Sequence, residues 1–132
     1  MYEIAKRFIF SASHQLDQLP EGHKCRRLHG HNYTVVIRVA AGELDEYGFV
    51  VDFAELDRVG AWMRARFDHQ HLNDVMDGPP TSERLAAAVF GWCAAHLQLR
   101  PGVDLQVRVA ETDSTWAEYR AAYVVPGEGD TR

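Results

Sequence analysis

Two stretches of this chain alternate apolar and polar residues with a period of two, and each carries histidine on its apolar parity. Tyr2, Ile4, Phe8, Phe10, Ala12 and His14 share one parity, while Glu3, Arg7, Ser11 and Ser13 share the other. Successive side chains of an extended strand point to opposite faces, so this segment reads as a half-buried strand ending at His14. A second alternation runs from about His29 to Ala41, with Tyr33, Val35, Ile37 and Val39 on its apolar face. His29 and His31 continue that same parity. Antiparallel pairing of the two strands would therefore gather three imidazoles at one end of a sheet.

The stretch that joins this pattern to chemistry is Cys25-Arg26-Arg27-Leu28-His29-Gly30-His31. Residues i and i+2 of a strand lie roughly 6–7 Å apart on one side, so His29 and His31 can aim at one ion. Gly30 between them permits close approach of backbone or ligand. Three neutral imidazoles with one position left open make a catalytic zinc site rather than a structural one. The alternative is three polar caps at a wet sheet end, which accounts for their polarity but not for their shared apolar parity. Cys25 is flanked by Lys24, Arg26 and Arg27, whose charge favours thiolate, so it is a candidate acid or base. Cys93, inside the apolar run Val89-Phe90-Gly91-Trp92-Cys93-Ala94, reads as a buried inert thiol. Two cysteines make no disulfide framework.

The rest of the chain supplies two helices and two more strands. Residues 15–28 form a polar loop, and Gly42 to Gly48 a turn before a short extended piece, Phe49-Val50-Val51. Asp52 with Glu55 three residues on marks a helix start, and Phe53, Leu56, Val59, Met63 and Phe67 follow at helical spacing. Gly78-Pro79-Pro80 breaks the chain; Thr81 caps a second helix whose stripe is Leu85, Val89, Trp92, Cys93 and His96. Leu105, Val107 and Val109 alternate in a third strand, and Trp116 to Val124 supplies a fourth. The order ββααββ predicts an α+β domain over residues 1–125: a four-stranded antiparallel sheet with two helices on one face. Residues 126–132 are expected to form a disordered tail. A net charge of −5 with scattered Lys and Arg argues against a nucleic-acid partner. With no apolar run of membrane length and a charged start, no membrane association and a cytoplasmic location are expected.

Two further groups carry candidate chemistry. Asp68 beside His69 would orient that imidazole and raise its pKa, and with Cys25 nearby the three would form a proton relay. His71 competes for the same role, and a carboxylate and histidine after a helix are commonplace. Glu111-Thr112-Asp113 closes the third strand. A carboxylate there can accept two hydrogen bonds from an amidine-like edge, or it can belong to an ordinary polar turn.

Together these segments resemble the 6-pyruvoyltetrahydropterin synthase family, and within it the 6-carboxytetrahydropterin synthases of queuosine and other 7-deazapurine pathways. The likeness runs through residues 8–14, Cys25 to Tyr33, Val51-Asp52-Phe53, Phe67-Asp68-His69 with Leu72-Asn73, Pro80-Thr81-Ser82-Glu83 and Glu111-Thr112, in the family's order. The three residues between Cys25 and His29 resemble the carboxy subgroup, since the eukaryotic pyruvoyl enzymes carry an insertion there. The resemblance implies a tunnelling fold in which trimers form through sheet edges and stack into a homohexamer, with active sites between subunits. It implies Zn2+ on His14, His29 and His31, proton transfer by Cys25 with His69 and Asp68, and a pterin anchored by Glu111 and Thr112. Lys24, Arg26 or Arg27 would meet a triphosphate on grounds of charge alone. The implied reaction turns 7,8-dihydroneopterin triphosphate and water into 6-carboxytetrahydropterin, acetaldehyde and triphosphate. A pyruvoyl-type elimination and a non-catalytic pterin- or metal-binding module are the alternatives. Phe67, where the family often has leucine, and the extra imidazole of His71 depart from the pattern.

Overall fold

The alternation of the first forty residues becomes a long two-stranded ribbon. The computed structural model describes residues 1–127. In it β1 (Tyr2–His14) pairs antiparallel with β2 (His29–Ala41) along its whole length, from Tyr2 opposite Ala41 to His14 opposite His29. Strands β4 (Asp104–Thr112) and β5 (Thr115–Ala122) extend the sheet antiparallel from β2, with a bulge between Val109 and Thr112.

The sheet has five strands rather than the expected four, in the order β3-β1-β2-β4-β5. The addition, β3 (Gln70–His71), is two residues long and runs parallel to β1 against Ala12 and Ser13. A two-residue strand has no periodicity to read. It leads into a one-turn helix, α2 (Leu72–Val75), also unforeseen. Phe49-Val50-Val51, expected to be extended, pairs with no strand.

The two long helices form where their caps stand. Asp52 accepts from the Ala54 N–H at the start of α1 (Phe53–Arg66), and Thr81 accepts from the Arg84 N–H at the start of α3 (Ser82–His96). Each such cap satisfies a backbone donor that the first turn leaves unpaired, worth about 1 kcal/mol. Leu56, Val59 and Met63 of α1 and Leu85, Val89 and Cys93 of α3 join Phe10, Tyr33, Val35, Ile37, Leu105 and Val107 in one core. Both helices thus cover one sheet face. Phe53 is the exception in α1: it is the first residue of the helix and stays exposed. Trp92 is partly buried against that core and stacks on Trp62 of α1, while His96, exposed, leaves the stripe and stacks on Trp92. Phe8 seats against Gly60, where a Cβ would stand 2.6 Å from the ring. Pro126 and Gly127 form a turn, and the remainder of the expected tail lies outside the described residues. No described helix is long and apolar enough to cross a membrane.

Candidate metal centre and active site

The ribbon's register brings His14, His29 and His31 together, with one ring nitrogen of each lying within 4.8 Å of the other two. Their rings stand 4.5–5.1 Å apart and steeply inclined, so they surround a common point. Backbone carbonyls fix the tautomers. His14 Nδ1 lies 2.9 Å from the Pro80 oxygen and His29 Nδ1 2.6 Å from the Arg27 oxygen. A carbonyl only accepts, so both Nδ1 atoms carry the proton and both Nε2 atoms present lone pairs.

Those two Nε2 atoms face each other at 2.9 Å. Two lone pairs at that distance repel unless a cation or proton lies between them. His31 Nε2 is buried without a hydrogen-bond partner, although Glu111 Oε2 is 3.3 Å away. Burial pushes the His31 pKa down, against the pull of Glu111 and with the aid of His14 and His29, which keeps the imidazole neutral as a ligand must be. Tetrahedral zinc at about 2.0–2.1 Å from each nitrogen needs nitrogens roughly 3.3 Å apart. The donor set fits a zinc ion. Tyr33, fully buried beneath the cluster, sets its hydroxyl 3.2 Å from His14 Nδ1.

Glu111 ends β4 between this cluster and a hollow of about 430 Å3 lined by Ser82, Glu83, Trp116 and Glu118 among others. Its Oε1 accepts from the Ser82 hydroxyl at 2.8 Å. Thr112, its neighbour, instead bonds Thr115 across the hairpin at 2.6 Å.

Asp68 and His69 sit on the outer edge of β1. The Ser11 N–H donates to Asp68 Oδ1 at 3.0 Å, and the His69 N–H donates to the Ser11 oxygen at 2.6 Å. His69 takes a left-handed backbone, φ 59°, to make this turn. Asp68 Oδ2 meets His69 Nδ1 at 3.0 Å, leaving Nε2 directed to solvent on a side chain 82% exposed. The Ser11 N–H, and secondarily His69, hold the Asp68 carboxyl below its usual pKa. His71 is engaged separately, 2.9 Å from the Ser13 hydroxyl. Ser13 has the opposite parity to His14, so this contact lies on the sheet face away from the metal cluster. An open hollow of about 490 Å3 at this end of the sheet is lined by Ser11, Ser13, His31, Asn32, His69 and His71 among others, so it reaches one member of the cluster.

Cys25 lies in a 3-10 turn, Lys24–Arg26, capped by His23. Its carbonyl accepts from the Leu16 N–H at 2.9 Å, closing the loop between β1 and β2. Among the described residues no hydrogen bond joins the Cys25 thiol to His69. Arg26 is committed to the loop's own carbonyls, Asp17 at 2.8 Å and Leu19 at 2.6 Å, whereas among the described residues the Lys24 and Arg27 side chains make no hydrogen bond or ion pair. Asn73 clamps the other end of the loop through paired bonds to the Gln15 backbone at 3.0 and 2.8 Å. Sequence reasoning missed Ser11, Tyr33 and Ser82 as partners of the candidate groups. All three lie in segments of the family likeness, residues 8–14, Cys25 to Tyr33 and Pro80 to Glu83, but nothing in the sequence assigned them these contacts.

The family model described as 6-pyruvoyl tetrahydropterin synthase matches residues 3–122. A putative 6-carboxy-5,6,7,8-tetrahydropterin synthase of Archaeoglobus fulgidus is 38% identical over 112 residues, covering 84% of this chain and 89% of that protein. The 6-carboxy-5,6,7,8-tetrahydropterin synthase of Synechocystis is 38% identical over 134 residues, covering 96% and 98%. The solved 6-pyruvoyl tetrahydropterin synthase of Caenorhabditis elegans shares the fold, with TM-score 0.76 at 24% identity over 92% of this chain and 96% of that one. On the match across residues 3–122, the chain belongs to the 6-pyruvoyl tetrahydropterin synthase family.

Proposed function

We propose that this chain is a zinc-dependent 6-carboxy-5,6,7,8-tetrahydropterin synthase, a carbon–carbon lyase of queuosine or other 7-deazapurine biosynthesis in the cytoplasm. Its substrates are 7,8-dihydroneopterin triphosphate and water, and its products 6-carboxytetrahydropterin, acetaldehyde and triphosphate. The observation that carries the reading is the trio of imidazoles whose Nε2 atoms converge with, among the described residues, no hydrogen-bond donor to satisfy them. Curated relatives bearing that activity's name over most of their length support it.

His14, His29 and His31 would hold the ion, which supplies Lewis acidity toward the substrate's side-chain oxygens. Glu111 accepts the amino and ring N–H edge of the pterin, with Thr112 beside it. Cys25 moves protons at the pterin C6 and side-chain carbons, and His69 exchanges them with it, oriented at Nδ1 by Asp68. His69 lies across β1 from the metal cluster, and its Nε2 faces outward. This supports a site completed by a second copy, in a hexamer whose contacts use the open edges of β1 and β5.

Triphosphate release from 7,8-dihydroneopterin triphosphate tests the reading. Turnover by the unmodified protein and its loss in Cys25→Ala are expected. Binding of pterin without any triphosphate release would leave a non-catalytic module instead. Restored activity on mixing Cys25→Ala with His69→Ala chains is the result expected of a shared site.

A further inference from the structure

We propose that Ser82 is the positioning residue that sets the pterin-recognising carboxylate, so that selectivity for an aminopyrimidinone edge depends on its hydroxyl. The inference rests on the reading of Glu111 as the anchor. Glu111 has two polar neighbours: Oε2 lies 3.3 Å from the unpartnered His31 Nε2, and Oε1 receives the Ser82 hydroxyl at 2.8 Å. A glutamate side chain has three torsions, so its hydrogen bonds decide which way its oxygens face. The Ser82 bond supplies that restraint. It also keeps the carboxylate turned toward the hollow that Ser82 and Glu111 line together rather than folded onto the imidazoles.

The position of Ser82 makes the restraint stiff. It is the first residue of α3, directly after the Thr81 cap, and two residues earlier the Pro80 carbonyl fixes the tautomer of His14. One capped helix start therefore holds a metal ligand and the recognition carboxylate in a fixed relation. Serine bonding to one lobe of a carboxylate leaves further lone pairs on both oxygens, enough to accept a ring N–H and an exocyclic amine side by side. Of the hollow's two other carboxylates, Glu83 and Glu118, the second is already engaged by Arg108 and Gln106 and does not compete for the donors.

The test compares binding of neopterin with that of the matching lumazine, which carries an oxo group in place of the 2-amino group, by calorimetry on the zinc-loaded protein. The unmodified protein is expected to prefer neopterin. Ser82→Ala should cut that preference by about tenfold or more, the scale of one hydrogen bond to a charged group. Zinc content should stay constant, and Ser82→Thr should restore the preference. In turnover, Ser82→Ala should raise KM with little change in kcat, because the lost contact is made equally in ground and transition states. A preference kept intact in Ser82→Ala overturns the role of Ser82 while leaving the proposed function standing. A loss that Ser82→Thr does not restore, or one accompanied by loss of zinc, overturns it as well. Absence of any preference in the unmodified protein refutes the anchor role of Glu111 and with it the inference.

Discussion

Substituting His29 by alanine separates the metal contribution to stability from everything else His29 does. His29 is the ligand to change because it is partly exposed, whereas His14 is fully buried and its loss would open the core. Its Nε2 faces His14 Nε2 at 2.9 Å, and its Nδ1 donates to the Arg27 oxygen at 2.6 Å. Without zinc, the variant loses one such bond, about 1 kcal/mol. Relief of the facing lone pairs offsets part of that. With free zinc at a hundredfold its Kd, binding to the folded state adds about 2.7 kcal/mol. A chain of 132 residues unfolds with an entropy of about 0.28 kcal/mol per kelvin, so the zinc term corresponds to roughly 10 °C in Tm. Calorimetric scans at fixed protein concentration, with zinc and after chelation, should give that shift for the unmodified protein. For His29→Ala the two scans should nearly coincide. A variant that keeps the full zinc-dependent shift would refute the reasoning, since the ion would then be held elsewhere.

Gly60→Ala should destabilise the fold by about 1–3 kcal/mol in urea unfolding, because a Cβ at 2.6 Å from the Phe8 ring forces apart α1 and β1. Asp68→Asn should flatten the acid limb of stability. The native carboxyl titrates below its ordinary value of 3.8, so its contribution is present above that value and disappears as pH falls through the lowered one. Unfolding at a series of pH values should therefore show the two proteins converging in acid and differing at neutrality. Thiol labelling of the native protein at pH 8 should modify Cys25 and spare Cys93, whose pKa burial pushes up to about 12; Cys25→Ser should abolish the fast phase.

Much of the site was legible because strand parity is an unusually strict code. A one-residue slip would have turned His14, His29 and His31 to the other face, so their shared parity with Phe10 and Tyr33 sufficed to gather them. The helix starts were legible for a similar reason: Asp52 and Thr81 have side chains that act on the backbone two or three residues away. What escaped was whatever depends on backbone groups or on distant pairing. The carbonyls of Pro80 and Arg27 that set the imidazole tautomers have no sequence signature. Neither has the attachment of Asp68 and His69 to Ser11, which creates β3 as a by-product and strains one residue into the left-handed region. Whether Cys25 and His69 meet is a matter of chain neighbourhood that local pattern cannot address, and the two occupy separate elements here.

Product analysis addresses the central claim most directly. The zinc-loaded protein should be given 7,8-dihydroneopterin triphosphate, and acetaldehyde, triphosphate and the pterin product measured together. The account predicts acetaldehyde and triphosphate in equal amounts, with 6-carboxytetrahydropterin as the pterin. Triphosphate released with no acetaldehyde would contradict it and assign the chain to the pyruvoyl-type reaction.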